Sequence, residues 1–335
     1  MKLTDLRRCG PAFLTLAILT AGCGDNPTSP SSPTSGPKIS CPVDQTFQTT
    51  GQAVPQTYPA PSVQGGTAPV SVNCSPKSGT VFPMGRSQVN CTASDAQSHA
   101  DSCTFSVTVQ AVPQLSATRM VAFGDSITAG ALSPCASLSS SFESYSLRED
   151  LRLIVASIDV ATSYPAKLQT LLRSRYATQQ PTVLNEGVGG EKVEDGVRRL
   201  PGILNMDRPQ ALLLQEGINN INGGAPASVV VDGLRTMIRQ ARGFGIPVLL
   251  GTLLPERPGG CRAFAVNDIP PANTQIRAMA TSEGAFVVDL YQTFDGKTSV
   301  LLGPDGLHPN EAGYDAIAQT FFDGIRQTLE GVPNP

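Results

Sequence analysis

The stretch Val121-Ala122-Phe123-Gly124-Asp125-Ser126-Ile127-Thr128-Ala129-Gly130 determines the fold that we expect for the larger part of this chain. Short apolar residues lead into a Gly-Asp-Ser turn, as they do where a buried strand of an open α/β sheet ends. Because ligands of such sheets bind at the carboxyl ends of the strands, Ser126 is a candidate nucleophile. A serine that only begins a helix gives the same pattern, so the assignment depends on the rest of the chain. We expect Asp125 to start a helix or turn.

From residue 119 onward, apolar strand-like runs alternate with helix-like spacing, which is the signature of a parallel α/β sheet. The predicted strands are 119–124, 182–185, 211–215, 248–253 and 286–290. Helical stripes of apolar residues fall around 163–172, 230–241 and 276–280, and the last helix opens at Pro309-Asn310. We predict one domain, 119–331, after a linker at 113–118.

Residues 131–162 separate the Gly-Asp-Ser turn from the first full helix. So long a connection in a compact domain indicates a functional loop or lid, although a surface embellishment fits the pattern as well.

The N-terminus has the features of an export signal. Basic residues precede a short apolar run within residues 1–22, and Thr20-Ala21-Gly22-Cys23 follows. Small residues before a cysteine resemble the bacterial lipobox, in which that cysteine is lipidated; Thr20 departs from its usual Leu. We expect lipidation at Cys23, with plain cleavage as the alternative. Residues 23–37 are rich in Pro, Ser and Thr and predict a flexible tether. The protein is therefore expected to be exported to a bacterial cell envelope and anchored to its membrane.

Eight cysteines occur, and six remain beyond Cys9 and Cys23, an even number that suits a disulfide framework in an exported chain. Cys135 follows the nucleophile turn and Cys261 lies in the loop after the fourth predicted strand. Both loops belong to the same sheet edge, so we predict a disulfide between them. No C-x-x-C spacing occurs and the chain has two histidines, His99 and His308, so no metal site is predicted.

Residues 38–112 show short β-type runs with turn residues between them, a pattern that predicts a small antiparallel sandwich. The region resembles the hyalin-repeat (HYR) module, and the matching segments include Cys41-Pro42, Cys74-Ser75-Pro76-Lys77-Ser78-Gly79, Phe82-Pro83-Met84-Gly85, Val89-Asn90-Cys91 and Cys103-Thr104-Phe105-Ser106-Val107-Thr108-Val109. The resemblance implies an immunoglobulin-like, non-catalytic adhesion or spacer module. Its four cysteines allow three pairings, of which we predict Cys41–Cys103 and Cys74–Cys91.

His308 is the one histidine of the α/β region, so any imidazole base for Ser126 must be this residue. Asp305 lies three residues earlier in Asp305-Gly306-Leu307-His308, where a carboxylate can hold the other imidazole nitrogen. Asp289, at the end of the fifth predicted strand, is an alternative acid, although a structural role fits it better.

Two further strand ends supply hydrogen-bond donors. Asn185-Glu186-Gly187-Val188-Gly189-Gly190 ends the second predicted strand, and its backbone N–H groups can face a developing oxyanion. Gln215-Glu216-Gly217-Ile218-Asn219-Asn220 ends the third, and a side-chain amide there is a second donor. Neither segment has the spacing of a phosphate-binding loop.

The order Ser, Gly, Asn and Asp-x-x-His resembles the SGNH (GDSL-type) hydrolase family over residues 119–331. The resemblance implies a three-layer, flavodoxin-like fold with a five-stranded parallel sheet of order 2-1-3-4-5. It also implies catalysis by Ser126, His308 and Asp305, with an oxyanion hole formed by Ser126, Gly190 and Asn219. Gly187 and Gly189 remain alternatives for Gly190. Asn220 stands where the family usually has Asp, and we expect this to alter loop rigidity and leave activity intact.

These residues and the resemblance together imply a carboxylic ester hydrolase that works through an acyl-enzyme without a cofactor, and we expect it to act on lipid-like or short acyl esters. The alternative substrate is an acetylated glycan, with the HYR module near the glycan or cell surface. A third hypothesis is an adhesion protein whose α/β domain is inert. The net charge of −3 gives no indication of nucleic-acid binding.

Overall fold

The computed structural model describes residues 35–51, 55–132 and 157–331. The predicted signal peptide, the lipidation site Cys23, Cys135 and most of the insertion 131–162 lie outside these residues. Cys261 lies within them and is in a disulfide. Among the described helices, none has the length and apolar character needed to cross a membrane.

The chain divides into two compact units. One contains Thr57–Thr80, Gln88–Ser106 and the described residues before Gln45. The other contains Gln45–Gln56, Val81–Ser87 and the chain from Val107 onward, which includes all of the α/β region.

The N-terminal region is built of strands, as its residue pattern predicts. They are β1 Lys38–Ser40, β2 Gln45–Thr49, β3 Ser62–Gln64, β4 Ser71–Ser75, β5 Gly85–Ser94 and β6 Ala100–Ala111. One sheet has the order β2-β6-β5-β4, and β1 pairs with β3 in a second sheet. This β-rich architecture agrees with the expected immunoglobulin-like domain.

Alternation along the long strands builds the core of this region. On β6, Phe105, Val107 and Val109 are all buried, whereas only one of the two residues between them is buried. The structure contains disulfides between Cys41 and Cys103 and between Cys74 and Cys91, the two pairs predicted above. Cys74 and Cys91 are also directly opposite each other in the β4–β5 ladder.

The α/β region alternates strands and helices. Its strands are β7 Gln114–Leu115, β8 Arg119–Gly124, β9 Ala131–Leu132, β10 Ser157–Ile158, β11 Thr182–Gly187, β12 Ala211–Gln215, β13 Val248–Gly251, β14 Phe286–Val288 and β15 Glu330–Gly331. Its helices are α1 Ser126–Ala129, α2 Tyr164–Arg175, α3 Val193–Asp207, α4 Ile218–Asn222, α5 Ala227–Gly243, α6 Ile269–Glu283, α7 Leu290–Phe294, α8 Thr298–Leu301 and α9 Glu311–Leu329.

The central sheet has the order β11-β8-β12-β13-β14, with all of its pairs parallel. This is the predicted order 2-1-3-4-5. The register places Gly187 of β11 and Gln215 of β12 on either side of Gly124 of β8. The segments after these three strands therefore leave the sheet at one edge, which brings the predicted nucleophile and both predicted donors together.

Three local features differ from the expectations. Helix α3 was not predicted, because Gly196, Pro201 and Gly202 interrupt its helical pattern. The last two strands of the central sheet end earlier than predicted, at Gly251 and Val288. The segment 113–118, expected to be a linker, contains β7, which pairs with β15 near the C-terminus.

Candidate active site

Ser126 occupies the first position of the short helix α1, directly after strand β8. Asp125 caps this helix, since its Oδ1 accepts a 2.9 Å hydrogen bond from the Ile127 N–H. Gly130 ends the helix with φ +94°, a conformation that favours glycine. The backbone N–H of a residue that begins a helix has no partner inside that helix, so the N–H of Ser126 is free of the helix's own bonding.

A continuous line of side-chain contacts runs from Ser126 through His308 to Asp305. Ser126 Oγ lies 2.9 Å from His308 Nε2, and His308 Nδ1 lies 2.6 Å from Asp305 Oδ2. All three residues are buried: the exposed fraction is 8% for Ser126, 1% for His308 and 0% for Asp305. The structure thus brings together residues that are 182 positions apart in the sequence.

The loop that carries His308 holds Asp305 in one orientation. Asp305 Oδ1 accepts the backbone N–H groups of Leu307 and His308, each at 3.0 Å, while Oδ2 faces the imidazole. Burial acts to raise the pKa of Asp305, but the hydrogen bonds from His308 and Leu307 outweigh it and lower the pKa below its usual value. The carboxylate is therefore ionised and positioned to stabilise an imidazolium.

The segment after β11 forms a tight turn, Val188–Glu191, which we call the oxyanion turn. The N–H of Glu191 donates to the Val188 carbonyl at 3.2 Å, and Gly190 has φ +77°, a left-handed conformation that favours glycine. Gly187 is a poorer candidate donor than Gly190, because its N–H already donates to Asn185 Oδ1 at 3.0 Å. Among the described residues, a methyl group at Gly190 would meet no atom within 4 Å.

Asn219 and Asn220 follow β12 and differ in environment. The side-chain amide of Asn219, which is half-buried, donates to the Glu191 carbonyl at 2.9 Å. An amide has two N–H donors, so Asn219 can donate to the Glu191 carbonyl and to an oxyanion at the same time. Asn220 is buried and its Oδ1 accepts the Val193 N–H at 3.0 Å at the start of α3. Asn219 is therefore a donor to the oxyanion turn, whereas Asn220 stabilises the start of helix α3.

Asp289, the alternative acid, is engaged elsewhere. Its carboxylate accepts two hydrogen bonds from Arg277, at 2.9 and 2.8 Å, and it caps helix α7 by accepting from the Gln292 N–H. The Thr252 hydroxyl also donates to it at 3.2 Å. These contacts assign Asp289 a structural role at the end of the sheet.

Buried acids near the site were not identified from the sequence. Asp125 is fully buried, and burial raises its pKa to about 7 against the hydrogen bond from Ile127. Glu216 is also fully buried, and neither carboxyl oxygen has a hydrogen-bond partner among the described residues. Burial, followed by the nearby charges of Asp125 and Glu191, raises the pKa of Glu216 to about 9. An acidic residue directly after an apolar strand gives no sequence signal of such an environment.

Within the described part of the chain, no group of three or more His, Cys, Asp and Glu side chains could hold a metal ion.

Comparison with known families agrees with this geometry. Residues 122–316, more than half of the chain, match the model of the GDSL-like lipase/acylhydrolase family. The chain belongs to this family. It is therefore a carboxylic ester hydrolase. Residues 33–109 match the HYR domain, as their sequence segments indicate.

Relatives and solved structures fit the same assignment. The chain is 26% identical over 163 residues to Esterase TesA of Pseudomonas aeruginosa, covering 48% of this chain and 78% of that protein. It is 24% identical over 161 residues to an arylesterase of Vibrio mimicus, covering 48% and 76%. A lipase/acylhydrolase from Enterococcus faecalis aligns with a TM-score of 0.50 and 21% identity over 65% of this chain and 98% of that one. An aryl esterase from M. smegmatis aligns with a TM-score of 0.50 and 16% identity over 64% of this chain and 100% of that one. These two structural likenesses show the fold.

Proposed function

We propose that this GDSL-family hydrolase is a serine esterase that cleaves carboxylic esters through an acyl-enzyme on Ser126. The observation that carries the proposal is the line of contacts from Ser126 Oγ to His308 Nε2 and from His308 Nδ1 to Asp305 Oδ2, at 2.9 and 2.6 Å. A serine hydroxyl is a weak nucleophile at neutral pH, and a neutral imidazole within hydrogen-bond distance can remove its proton.

In acylation, Ser126 Oγ attacks the carbonyl carbon of the ester while its proton passes to His308 Nε2. Asp305 stabilises the resulting imidazolium through the hydrogen bond at Nδ1. The negative charge on the former carbonyl oxygen is held by the N–H groups of Ser126 and Gly190 and by the Asn219 amide. When the tetrahedral intermediate collapses, the C–O bond to the alcohol breaks and His308 returns the proton to the departing oxygen.

Deacylation repeats these steps with water as the nucleophile. His308 removes a proton from water, the hydroxide adds to the acyl carbon, and the same donors hold the oxyanion. The bond to Ser126 Oγ then breaks, His308 returns the proton to Oγ, and the carboxylic acid leaves. No step requires a group other than these side chains, backbone donors and water.

Replacing Ser126 by alanine tests the proposal. The purified wild type should hydrolyse p-nitrophenyl acetate at least about a thousandfold faster than Ser126→Ala. Labelling of the wild type by an organophosphonate, followed by mass spectrometry, should place one adduct on Ser126. Equal rates for the two proteins, or an adduct on another residue, would contradict the mechanism.

Apolar side chains at the active edge of the sheet support acyl or aryl esters of apolar character as substrates. Val188, in the oxyanion turn, is 42% exposed, and Phe264 is 71% exposed in the loop after β13. That loop also contacts residues 303–308, which carry Asp305 and His308 and which we call the acid loop, because the Arg262 N–H donates to the Asp305 carbonyl. A p-nitrophenyl ester series from acetate to octanoate should show kcat/KM rising beyond acetate. Preference for an acetylated glycan over every member of the series would favour the alternative substrate.

We also propose that the protein is exported and anchored to the cell envelope by lipid on Cys23. The lipobox-like segment supports this, and so do the two disulfides of the HYR region, which suit an oxidising compartment. Cells fed an alkyne fatty acid should label the wild type and leave Cys23→Ala unlabelled. Labelling of both proteins, or of neither, would contradict lipidation at this residue.

A further inference from the structure

Two of the three predicted oxyanion donors, Gly190 and Asn219, are linked by one backbone carbonyl. The Asn219 amide donates to the carbonyl of Glu191, the residue directly after Gly190. One N–H of the amide is thereby fixed, and the direction of the other N–H depends on where the Glu191 carbonyl lies. A shift of Glu191 would move the Asn219 amide and the Gly190 N–H together.

The residues of segment 186–191 restrict its backbone conformation only weakly. Three of its residues, Gly187, Gly189 and Gly190, lack a side chain, and glycine restricts the chain less than any other residue. Gly187 is held by packing, since a methyl group there would approach the Ala129 nitrogen to 2.1 Å. At Gly189 and Gly190, no atom of the residues that the structure describes lies within 4 Å of the corresponding position.

Arg199 of helix α3 holds both ends of this segment. Its Nε donates to Glu191 Oε1 at 2.8 Å, and its Nη2 contacts Glu191 Oε2. The same Nη2 donates to the Glu186 carbonyl at 2.9 Å, and Nη1 lies 3.5 Å from Glu186 Oε2. One guanidinium therefore contacts the residue before the glycines and the residue after them, and the pairing with Glu191 has the two-pronged geometry typical of arginine.

The environment of Arg199 restricts its own movement. The guanidinium carbon lies 3.9 Å from the centre of the Phe123 ring, on the strand that ends at the nucleophile turn. The Glu191 side chain is 4% exposed and that of Arg199 is 23% exposed. If Arg199 were removed, the Glu191 carboxylate would be left buried without its cation, and it would have to turn toward water and displace its own backbone.

We propose that Arg199 and Glu191 are positioning residues that set the geometry of the oxyanion hole through Gly190 and Asn219. The inference rests on the proposed serine-esterase mechanism and adds to it a pair of charged residues with no direct contact to substrate. It predicts that Arg199 acts mainly on the transition state, because the donors it positions bind an oxyanion that the ground state lacks.

A double-mutant cycle in the full chain tests the coupling. The variants are Arg199→Met, Asn219→Ala and both together, with Arg199→Lys as the conservative change. Asn219→Ala should lower kcat about a hundredfold, and Arg199→Met about tenfold or more with KM within about twofold. The double variant should lose clearly less than the product of the two single losses, since both changes disturb the same donor. Arg199→Lys should recover part of the rate.

Arg198→Met is the matched control, because Arg198 is adjacent, its side chain is 70% exposed and it pairs with Asp195 at the surface. Organophosphonate titration of Ser126 supplies the concentration of folded sites, so that kcat is corrected for any unfolded protein. Affinity for a boronic acid, which forms a tetrahedral anion on serine, should fall in Arg199→Met in parallel with kcat.

Three results would overturn the inference: fully multiplicative losses in the double variant, a corrected kcat equal to that of Arg198→Met, or unchanged boronic acid affinity. A failure of the esterase mechanism itself is distinguishable, since Ser126→Ala would then retain activity whatever the result at Arg199.

Discussion

The side-chain amide of Asn220 donates a 2.8 Å hydrogen bond to Glu194 Oε2 in the first turn of helix α3. Its oxygen accepts the Val193 N–H at 3.0 Å in the same turn. An amide can make both contacts at once, whereas a carboxylate at this position could only accept. Asn220 and Glu194 thus suit each other, which accounts for the departure of this chain from the Asp that is usual in the family motif.

Asn220→Asp should therefore destabilise this protein, although it restores the usual residue. The new carboxylate would face Glu194, whose pKa is now lowered by the hydrogen bond from Asn220. We expect a loss of about 1 kcal/mol in the free energy of unfolding at pH 7, because Glu194 is exposed and partly screened, with kcat nearly unchanged. Urea unfolding measures the loss. Adding Glu194→Gln should restore stability, and a variant as stable as the wild type would contradict this account.

The two candidate acids should respond differently to the same chemical change. Asp305→Asn removes the carboxylate beside His308 Nδ1 and should lower kcat about a thousandfold or more. Asp289→Asn replaces one of the two oxygens that accept from Arg277 by an NH2 group and removes the charge, and it should cost about 1–2 kcal/mol of stability while leaving kcat within about threefold. Steady-state kinetics and thermal unfolding of both variants check the contrast. A large kcat loss in Asp289→Asn would reverse the assignment.

The buried carboxyl of Glu216 should make stability depend on pH. Its pKa is raised from 4.5 to about 9, so the folded state keeps a proton that the unfolded state releases above pH 4.5. The contribution of this group to the free energy of unfolding therefore falls as pH rises from about 5 to 9, by at most about 1.4 kcal/mol per pH unit.

Glu216→Gln should remove this dependence while keeping the shape of the protonated acid. Urea unfolding at pH 5, 7 and 9 should show the wild type weakening more than the variant. Some slope will remain in both proteins below pH 7, because the pKa of Asp125 is raised to about 7 as well. Parallel pH profiles for the two proteins would show that Glu216 is ionised in the folded state.

The parts of the fold that could be predicted are those that local patterns encode. The parallel α/β class and the group of Ser126, Asp305 and His308 followed from the strand pattern, the strand ends and the Asp-x-x-His spacing, whereas the strand order was predicted from the family resemblance. Helix α3 was missed because Pro201 and its neighbouring glycines break the local pattern, whereas packing against the sheet stabilises the helix. The pairing of Arg199 with Glu191 was missed for a different reason. It depends on how α3 lies over the oxyanion turn, and that geometry exists only after the sheet has formed.

The loop after β13 supports the acid loop through Arg257. The guanidinium Nη2 of Arg257 donates to the carbonyls of Gly303 and Pro304, each at 2.8 Å, and its backbone N–H donates to the Gly306 carbonyl at 2.8 Å. Arg257 therefore makes hydrogen bonds to residues on both sides of Asp305. Arg257→Met removes the side-chain contacts and leaves the backbone contact in place.

We expect Arg257→Met to lower kcat about tenfold with KM little changed, because the Asp305 carboxylate must stay within hydrogen-bond distance of His308 for the imidazolium to be stabilised. Arg257→Lys keeps the charge but loses the planar donors, so its kcat should lie between those of the wild type and Arg257→Met. Arg198→Met again serves as the surface control, and Ser126 titration corrects for unfolded protein. If Arg257→Met loses thermal stability while its corrected kcat equals that of the control, the guanidinium stabilises the loop without positioning Asp305.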